Sequence, residues 1–311
     1  MIKIGIIGFG NIGKKRFKAL LKISKFKTKV IYVVDKIKPK KLPKEINFYK
    51  NWKDILSIKV DLILLATPTT QTKIIANHLC DKFNILVEKP LSNFHSEIKK
   101  ITSKSIKNHK ILKVGYNLRF DDGLIKTKEL LKKKIIGKIY YIKITYANGA
   151  ARTNTNKVGS LFDMGTHSLN LLIWLTNENN YKIVNHIGQK NEFLKKSKVD
   201  NGFILLKSND IHAMIHHGFC TWKNAFNLEI SGSKGFIRIN SLSKWGDERV
   251  YLGLRKYPDG KPLIKQWNYK IDNSWKNELE YLFNNFKINK KNINKINLEC
   301  LETINLIKKI I

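Results

Sequence analysis

"GIIGFGNIGKKR" (Gly5–Arg16) decides the fold: an apolar run leads into glycines at 8, 10 and 13 and then into a basic, amphipathic stretch. Alone, the G-x-G-x-x-G spacing is weak evidence, because glycine-rich turns occur in many folds. Its flanks make it specific. "IKIGIIG" reads as a strand, and Ile12, Arg16, Phe17, Leu20 and Leu21 recur after the turn at helical spacing. In such a strand–turn–helix the first glycine permits the tight turn, the second lets a pyrophosphate approach the backbone, and the third lets the helix lie close to the strand. Amides and the dipole at the helix start then hold the negative charge. Gly8, Phe9, Gly10, Asn11, Ile12 and Gly13 are therefore the expected cofactor-binding turn. A second apolar run, "KVIYVVD", ends at Asp35, where a carboxylate can accept hydrogen bonds from an adenosine ribose. A carboxylate repels a 2′-phosphate, so Asp35 favours NAD as cofactor; Lys36, Lys38, Lys40 and Lys41 follow at once and keep NADP open.

The 311 residues, 42% of them hydrophobic, suit two ordinary domains with real cores. Through residue 120 short apolar runs ("VDLILLATP", "NILVEKP", "ILKVGYN") alternate with amphipathic stretches, the pattern of a parallel sheet covered by helices on each side. Beyond it the spacing predicts a helix over 121–134, a strand over 138–147, a loop over 148–160 and a helix over 161–176. The strand-like runs "GFILLKS", "IHAMIHHGF", "AFNLEISG" and "GFIRIN" then follow without intervening helices, which implies an antiparallel sheet. Helical stretches over 274–287 and 296–310 end the chain. The expected fold class is α/β: a doubly wound parallel sheet in a dinucleotide-binding domain of residues 1–120, then an α/β domain of residues 121–311 with a mostly antiparallel open sheet.

The net charge of +35 raises the question of nucleic acid, but lysines outnumber arginines 53 to 6 and are scattered through every segment. Direct reading of bases and phosphates favours the arginine fork, so nucleic acid is not an expected partner. The charge does favour acidic or phosphorylated metabolites. No apolar run reaches the roughly 18 residues of a membrane span. Cys80, Cys220 and Cys300 are widely spaced and form no paired motif, as expected of reduced thiols in the cytoplasm. His212, His216 and Cys220 alternate onto one strand face, but no second cluster completes a metal site, and none is expected.

Four further segments carry a resemblance: "LLATPTT" (64–70), "VEKPLS" (87–92), "GYNLRF" (115–120) and "GSLFDMGTHSLNLL" (159–172). With the glycine turn, in this order and spacing, the chain closely resembles the Gfo/Idh/MocA oxidoreductases, which include glucose–fructose oxidoreductase and inositol dehydrogenases. The resemblance implies an N-terminal Rossmann domain, a C-terminal domain with a large sheet, and a homo-oligomer, dimer or tetramer, formed through that sheet. It places Lys89 beside nicotinamide and substrate and Glu88 near the nicotinamide ribose. Thr67 and Pro68 line the dinucleotide, and Asn117 and Arg119 border the nicotinamide pocket. Asp163 and His167 match the family's substrate-binding and proton-transfer pair. Arg119 has a second reading, as a partner of Asp121 or Asp122.

The chemistry of these residues agrees. Asp163 and His167 stand four apart on a predicted helix, so both project from one face, and Gly165 between them would leave room for a flat ring or sugar. Removing a hydride from a carbinol carbon requires the hydroxyl proton to leave; an imidazole suits that proton and Lys89 suits the developing charge on oxygen. Asp163 then positions a substrate hydroxyl or holds the imidazole and lysine in place. The sequence departs from the family in three places: of a glycine triplet frequent before the 159–172 helix only Gly159 remains, Thr72 stands where a histidine is frequent, and Asn170 where an aspartate is frequent, the last of which weakens the case for an inositol. Asn170, one turn from His167, joins Lys89, Arg119, Asp163 and His167 as expected substrate contacts. The expected function is hydride transfer to or from a secondary alcohol or ketone of a sugar, sugar acid or nucleotide sugar. The alternative is a non-catalytic dinucleotide sensor of the same fold.

Overall fold

The computed structural model describes residues 1–149, 159–190, 199–256, 260–286 and 290–310. The loop expected over 148–160 lies largely outside them. Two compact units emerge, Met1–Tyr116 with Trp275–Leu301, and Asn117–Ser274 with Glu302–Ile311.

The first unit is built on β1 (Ile2–Ile7), α1 (Asn11–Leu21), β2 (Thr28–Val34), β3 (Asn47–Tyr49), β4 (Leu62–Leu65), α2 (Thr69–Leu79), β5 (Ile85–Val87), α3 (His95–Lys107) and β6 (Leu112–Val114). Its six strands lie in the order β3-β2-β1-β4-β5-β6, each pair parallel. This is the Rossmann order, with its switch point between β1 and β4, where ligands bind outside the carboxyl ends of the strands. The strands are short and apolar because helices cover both faces: Ile4, Ile6 and Leu62–Leu65 are at most 1% exposed. On α1 the buried residues are Gly13, Arg16, Ala19 and Leu20, whereas Leu21, expected on the same face, is 71% exposed.

The second unit holds α4 (Asp122–Lys132), β7 (Ile139–Ala147), α5 (Thr166–Thr176), β8 (Lys182–Gln189), β9 (Asn201–Lys207), β10 (His212–Gly218), β11 (Ala225–Gly232), β12 (Gly235–Asn240), β13 (Glu248–Leu254) and β14 (Leu263–Tyr269). The sheet runs β14-β13-β12-β11-β7-β10-β9-β8; β7 and β10 pair parallel and every other pair is antiparallel. One face is a continuous apolar layer that includes Ile142, Ile144, Ile204, Ile215, Leu228, Ile230 and Ile237, each at most 1% exposed, with α4 and α5 against it. The strands not expected from sequence are β8, β13 and β14 here and the short β3 in the first unit. Both edge strands, β8 and β14, have exposed or half-exposed residues throughout, so they lack the alternation that marks a half-buried strand.

The chain ends in α6 (Ser274–Asn285) and α7 (Lys290–Lys308). The contiguous division near residue 120 left no place for what these helices do: Leu279, Leu282, Phe283 and Ile296 join the core of the first unit. Asn297 also satisfies the β6 region, accepting from Leu112 N at 2.8 Å and donating to Lys110 O at 2.8 Å. An exposed sheet edge is thereby covered.

Beneath α4, the N-cap Asp121 accepts from Gly123 N at 3.2 Å and from Ser243 Oγ at 2.8 Å, and it meets Glu248, which is 0% exposed. Burial first, then the hydrogen bond and charge of Asp121, pushes the Glu248 carboxyl well above its ordinary range; burial also raises Asp121. The folded pair keeps a proton that the unfolded chain releases near pH 4, so its stabilising contribution is complete below that pH and is lost as pH rises. Glu248→Gln replaces the protonated donor with an amide. Thermal unfolding followed from pH 5 to pH 9 should show a fall in Tm for the native chain that is smaller in Glu248→Gln by roughly 2–4 °C, the equivalent of about 1 kcal/mol; parallel slopes would refute the shared proton.

Candidate functional site

In the first unit the glycine turn is built as its spacing requires. Gly8 has φ +87°, and a Cβ there would lie 2.6 Å from Ala66 O. A Cβ on Gly13 would lie 2.1 Å from Gly8 O, so the helix could not approach. Gly10 differs: its Cβ would meet nothing within 4 Å. It is the N-cap of α1, which has no side-chain cap and no acidic residue in its first turn. The helix start therefore presents bare amides toward open space, the arrangement an anionic pyrophosphate fits. Asp35 Oδ2 accepts from Phe9 N at 2.6 Å, fixing the carboxylate beside the turn.

Pro68 is the N-cap of α2, and Thr67 precedes it. Thr72 Oγ1 donates to Thr67 O at 2.7 Å and lies 2.9 Å from Thr67 Oγ1, so the residue that replaces the family's frequent histidine ties this turn to its helix. Glu88 and Lys89 follow β5 directly, and the Lys89–Pro90 bond is cis. The Glu88 carboxylate engages a residue that sequence reasoning had read as part of an apolar helix face. Arg16 Nε donates to Glu88 Oε1 at 2.7 Å, and its Nη1 lies 2.5 Å from Glu278 Oε2 on α6. Arg16 and Glu278 are 1% and 0% exposed, and the Trp275 ring centre stands 4.4 Å from the guanidinium carbon. Burial opposes the charge on Arg16, but the two carboxylates outweigh it and hold the guanidinium firmly protonated.

In the second unit Asp163 sits in a π-helical turn, Leu161–Gly165, that runs into α5 and places His167 within the helix proper. The expected single regular helix face is thus interrupted between the two residues. The reading of Gly165 as a space for substrate is also corrected: a Cβ there would lie 3.0 Å from Leu161 Cδ1 and 3.6 Å from His217 Cγ, so the gap is filled from below. His217 is 0% exposed and 2.9 Å from Ser160 Oγ through Nδ1, and burial lowers its pKa to about 3. A neutral imidazole therefore buttresses the turn. At the other end of α5, Lys128 Nζ donates to Trp174 O at 2.5 Å and Leu175 O at 3.1 Å, satisfying terminal carbonyls.

The other expected residues fall close by. Arg119, 6% exposed, donates from Nε to Asn170 Oδ1 at 2.5 Å. Asn170 is 0% exposed and donates to Thr303 Oγ1 at 2.9 Å, so its amide is used inside the protein. Asn117 donates to Ser274 Oγ at 3.0 Å. His167 is 4% exposed, and its ring stands edge-on to Tyr146, centres 5.7 Å apart. Tyr146 was not foreseen; the alternation of β7 onto its buried face is the signal that marks it. In the histidine-rich strand His216 Nε2 bonds Asn201 Oδ1 at 2.8 Å, and β10 ends before Cys220, so the three residues do not share one strand.

The two glycines separate turn geometry from ligand contact. Gly13→Ala should destabilise the chain by more than about 1 kcal/mol, because backbone must move. Gly10→Ala should leave thermal stability nearly unchanged while weakening NAD binding about tenfold or more, measured by calorimetric titration, since the methyl fills the approach to the helix amides. Unchanged affinity in Gly10→Ala would place the dinucleotide elsewhere.

Comparison with known proteins agrees with this architecture. Residues 2–116 match the family model described as "Oxidoreductase family, NAD-binding Rossmann fold", and residues 124–238 match the GFO/IDH/MocA C-terminal domain. An inositol 2-dehydrogenase/D-chiro-inositol 3-dehydrogenase of Shouchella clausii is 22% identical over 290 residues, covering 90% of this chain and 82% of its own. A myo-inositol 2-dehydrogenase of Thermotoga maritima is 24% identical, covering 83% and 84%. Among solved structures, KijD10, a 3-ketoreductase from Actinomadura kijaniata in complex with NADP and TDP-benzene, superposes with TM-score 0.80 at 14% identity, covering 99% of this chain and 96% of that one. The aldose-aldose oxidoreductase of Caulobacter crescentus gives TM-score 0.80 at 17% identity over 99% and 95%. With both of its halves matched, the chain belongs to the Gfo/Idh/MocA family of NAD(P)-dependent oxidoreductases.

Proposed function

We propose that this protein is a cytoplasmic dehydrogenase or reductase that interconverts a secondary alcohol and a ketone on a sugar, sugar acid or nucleotide-linked sugar. NAD is the preferred cofactor and is held by the first unit, Met1–Tyr116 with Trp275–Leu301, while the second unit supplies substrate contacts in addition to Lys89. The observation that carries this reading is the bare-amide glycine turn with Asp35 fixed beside it at 2.6 Å from Phe9 N, in a chain that also keeps Lys89, Asp163 and His167. A pure sensor of dinucleotide would need none of those three. When bound, the nicotinamide supplies the hydride acceptor or donor.

The chain's own groups do the rest. In the oxidising direction the His167 imidazole takes the hydroxyl proton as the carbinol carbon gives up its hydride, and the Lys89 ammonium stabilises charge on that oxygen. Asp163 holds a neighbouring substrate hydroxyl. Arg119 borders the pocket and is oriented by Asn170, whose own role is that of support. Glu88 lies near the nicotinamide ribose, its carboxylate direction fixed by Arg16.

The protein acts as a homo-oligomer, dimer or tetramer, through the outer face of the second unit's sheet. Supporting this, Val184, Ile187, Phe203, Leu205 and Met214 on β8, β9 and β10 are between 36% and 62% exposed and form an apolar area there.

Two experiments test these statements. Purified protein is offered NAD and NADP with a panel of neutral sugars, inositols, uronates, sugar phosphates and nucleotide sugars, and reduced cofactor is measured. Turnover of a panel member, lowered about 10²–10⁴-fold in kcat by His167→Asn or Lys89→Met, is expected. Tight cofactor binding with no turnover across the panel would establish the sensor instead. Light scattering should show Leu205→Asp shifting the assembly toward the monomer mass; an unchanged mass would move the interface elsewhere.

A further inference from the structure

The π-helical turn that carries Asp163 is held from the sheet by one side chain. Its wide ring closes where Thr166 N reaches back to Leu161 O, one residue further than in an α-helix, and turns of this kind recur at functional sites. Both of its ends meet His217. Ser160, the residue before the turn, has Oγ 2.9 Å from His217 Nδ1, and a Cβ on Gly165, the last residue of the turn, would lie 3.6 Å from His217 Cγ and Cδ2. Asp163 stands between these two contacts.

The hydrogen bonds give the contact a direction. Ser160 N donates to Val199 O at 2.8 Å, and the single hydroxyl hydrogen of Ser160 goes to the same carbonyl at 3.2 Å. Toward the ring, Ser160 Oγ therefore accepts, and His217 Nδ1 is the donor. Nε2 then carries the bare lone pair, buried and without a partner, which is uncommon in a folded protein. The fold gives up a side chain for this ring as well. Gly202, paired with His217 across β9 and β10, would place a Cβ 2.8 Å from Cε1 and 2.9 Å from Nε2. Glycine inside a strand marks such a close approach. His186 covers the ring at 5.7 Å between centres, with 25° between planes. The imidazole is wedged in place, with one donor aimed at the start of the turn.

The same row of the sheet supports the second proposed site residue. His217 pairs in register with Tyr146 on β7, and the Tyr146 ring stands 5.7 Å from that of His167 at 84°. Neighbouring strands thus set one ring against the turn of Asp163 and one against His167.

We propose that His217 is a positioning residue for the reaction: through Ser160 and Gly165 it fixes where the turn holds the Asp163 carboxylate. This rests on the function proposed above, in which Asp163 holds a substrate hydroxyl. His217 is fully buried beneath the turn and acts through its backbone.

The full-length protein is compared with His217→Leu, which keeps bulk and removes the donor, and His217→Asn, whose amide nitrogen replaces Nδ1. The assay uses NAD and a sugar that the native chain turns over. A contact to a non-reacting hydroxyl is made equally in the ground and transition states, so His217→Leu should lower kcat/KM about 10–100-fold, mostly through KM. His217→Asn should recover most of that loss. In an Asp163→Asn background His217→Leu should cost less than about twofold more, because the effect runs through that carboxylate. A loss that persists undiminished in the Asp163→Asn chain, or no loss at all, overturns the proposal. Amide exchange read by mass spectrometry follows the turn without substrate. Peptides covering 160–167 should exchange about tenfold faster in His217→Leu and at the native rate in His217→Asn. Acceleration spread through β9 and β10 would make the residue merely structural and overturns the proposal. Should His217→Leu fail to fold, Ser160→Ala, which removes the acceptor and leaves the ring, should show the same pattern. If no compound is turned over, the proposed reaction has failed and exchange alone decides. Acceleration confined to the turn and repaired by asparagine supports His217 as its holder, whereas unaltered exchange overturns it.

Discussion

A buried arginine between two carboxylates organises the first unit. Arg16 leaves the glycine-turn helix, reaches Glu88 at the end of β5, and is closed from the other side by Glu278 on α6. Arg16 and Glu278 are buried and Glu88 is 15% exposed, with burial raising the Glu88 carboxyl against the pull of Arg16, so the cluster holds only while all three partners keep their geometry; removing one member of such a group costs about 3–5 kcal/mol. The functional consequence is positional. Glu88 precedes Lys89, so whatever fixes that carboxylate also limits how far the lysine's backbone can wander from the glycine turn. The chain from Trp275 to Leu301, most of α6 and the first part of α7, is thereby part of the cofactor-binding unit, although it lies far from the glycine turn in sequence.

The second unit uses different means to the same end. Its helix α5 is buried on almost every side, with Lys128 satisfying carbonyls at one end and Ser160, backed by neutral His217, holding the turn at the other. His167 is consequently carried on one of the most rigid elements available. The Tyr146 ring stands edge-on beside it, centres 5.7 Å apart. Precision of this kind is what proton transfer requires, since a misplacement of about an ångström costs about two orders of magnitude in rate.

The parallel sheet, the glycine turn and Asp35 were legible because local sequence carries them: strands apolar on both faces, a spacing that only one turn geometry explains, and an acidic residue at a strand end. Lys89, Asp163 and His167 are proposed site residues, and it is the motifs around them that single them out. Arg16 was not legible, because a buried arginine looks like any basic helix residue until its partner, 262 positions away, is folded against it. Strands β8 and β14 escaped because edge strands exposed on both faces carry no alternation. The π-helical turn before α5 left no sequence trace that periodicity detects, and it changed the reading of Gly165 from a substrate gap to a packing contact.

The claim at the centre of this account is that Lys89 and His167 serve one substrate oxygen. A double-mutant cycle tests it most directly: kcat/KM for a turned-over sugar is measured in the native chain, Lys89→Met, His167→Asn and the double variant. Groups that act as a unit are strongly non-additive, so the double variant should be little worse than the more damaged single one. Losses that simply multiply would show that the two side chains act independently, and would contradict the account.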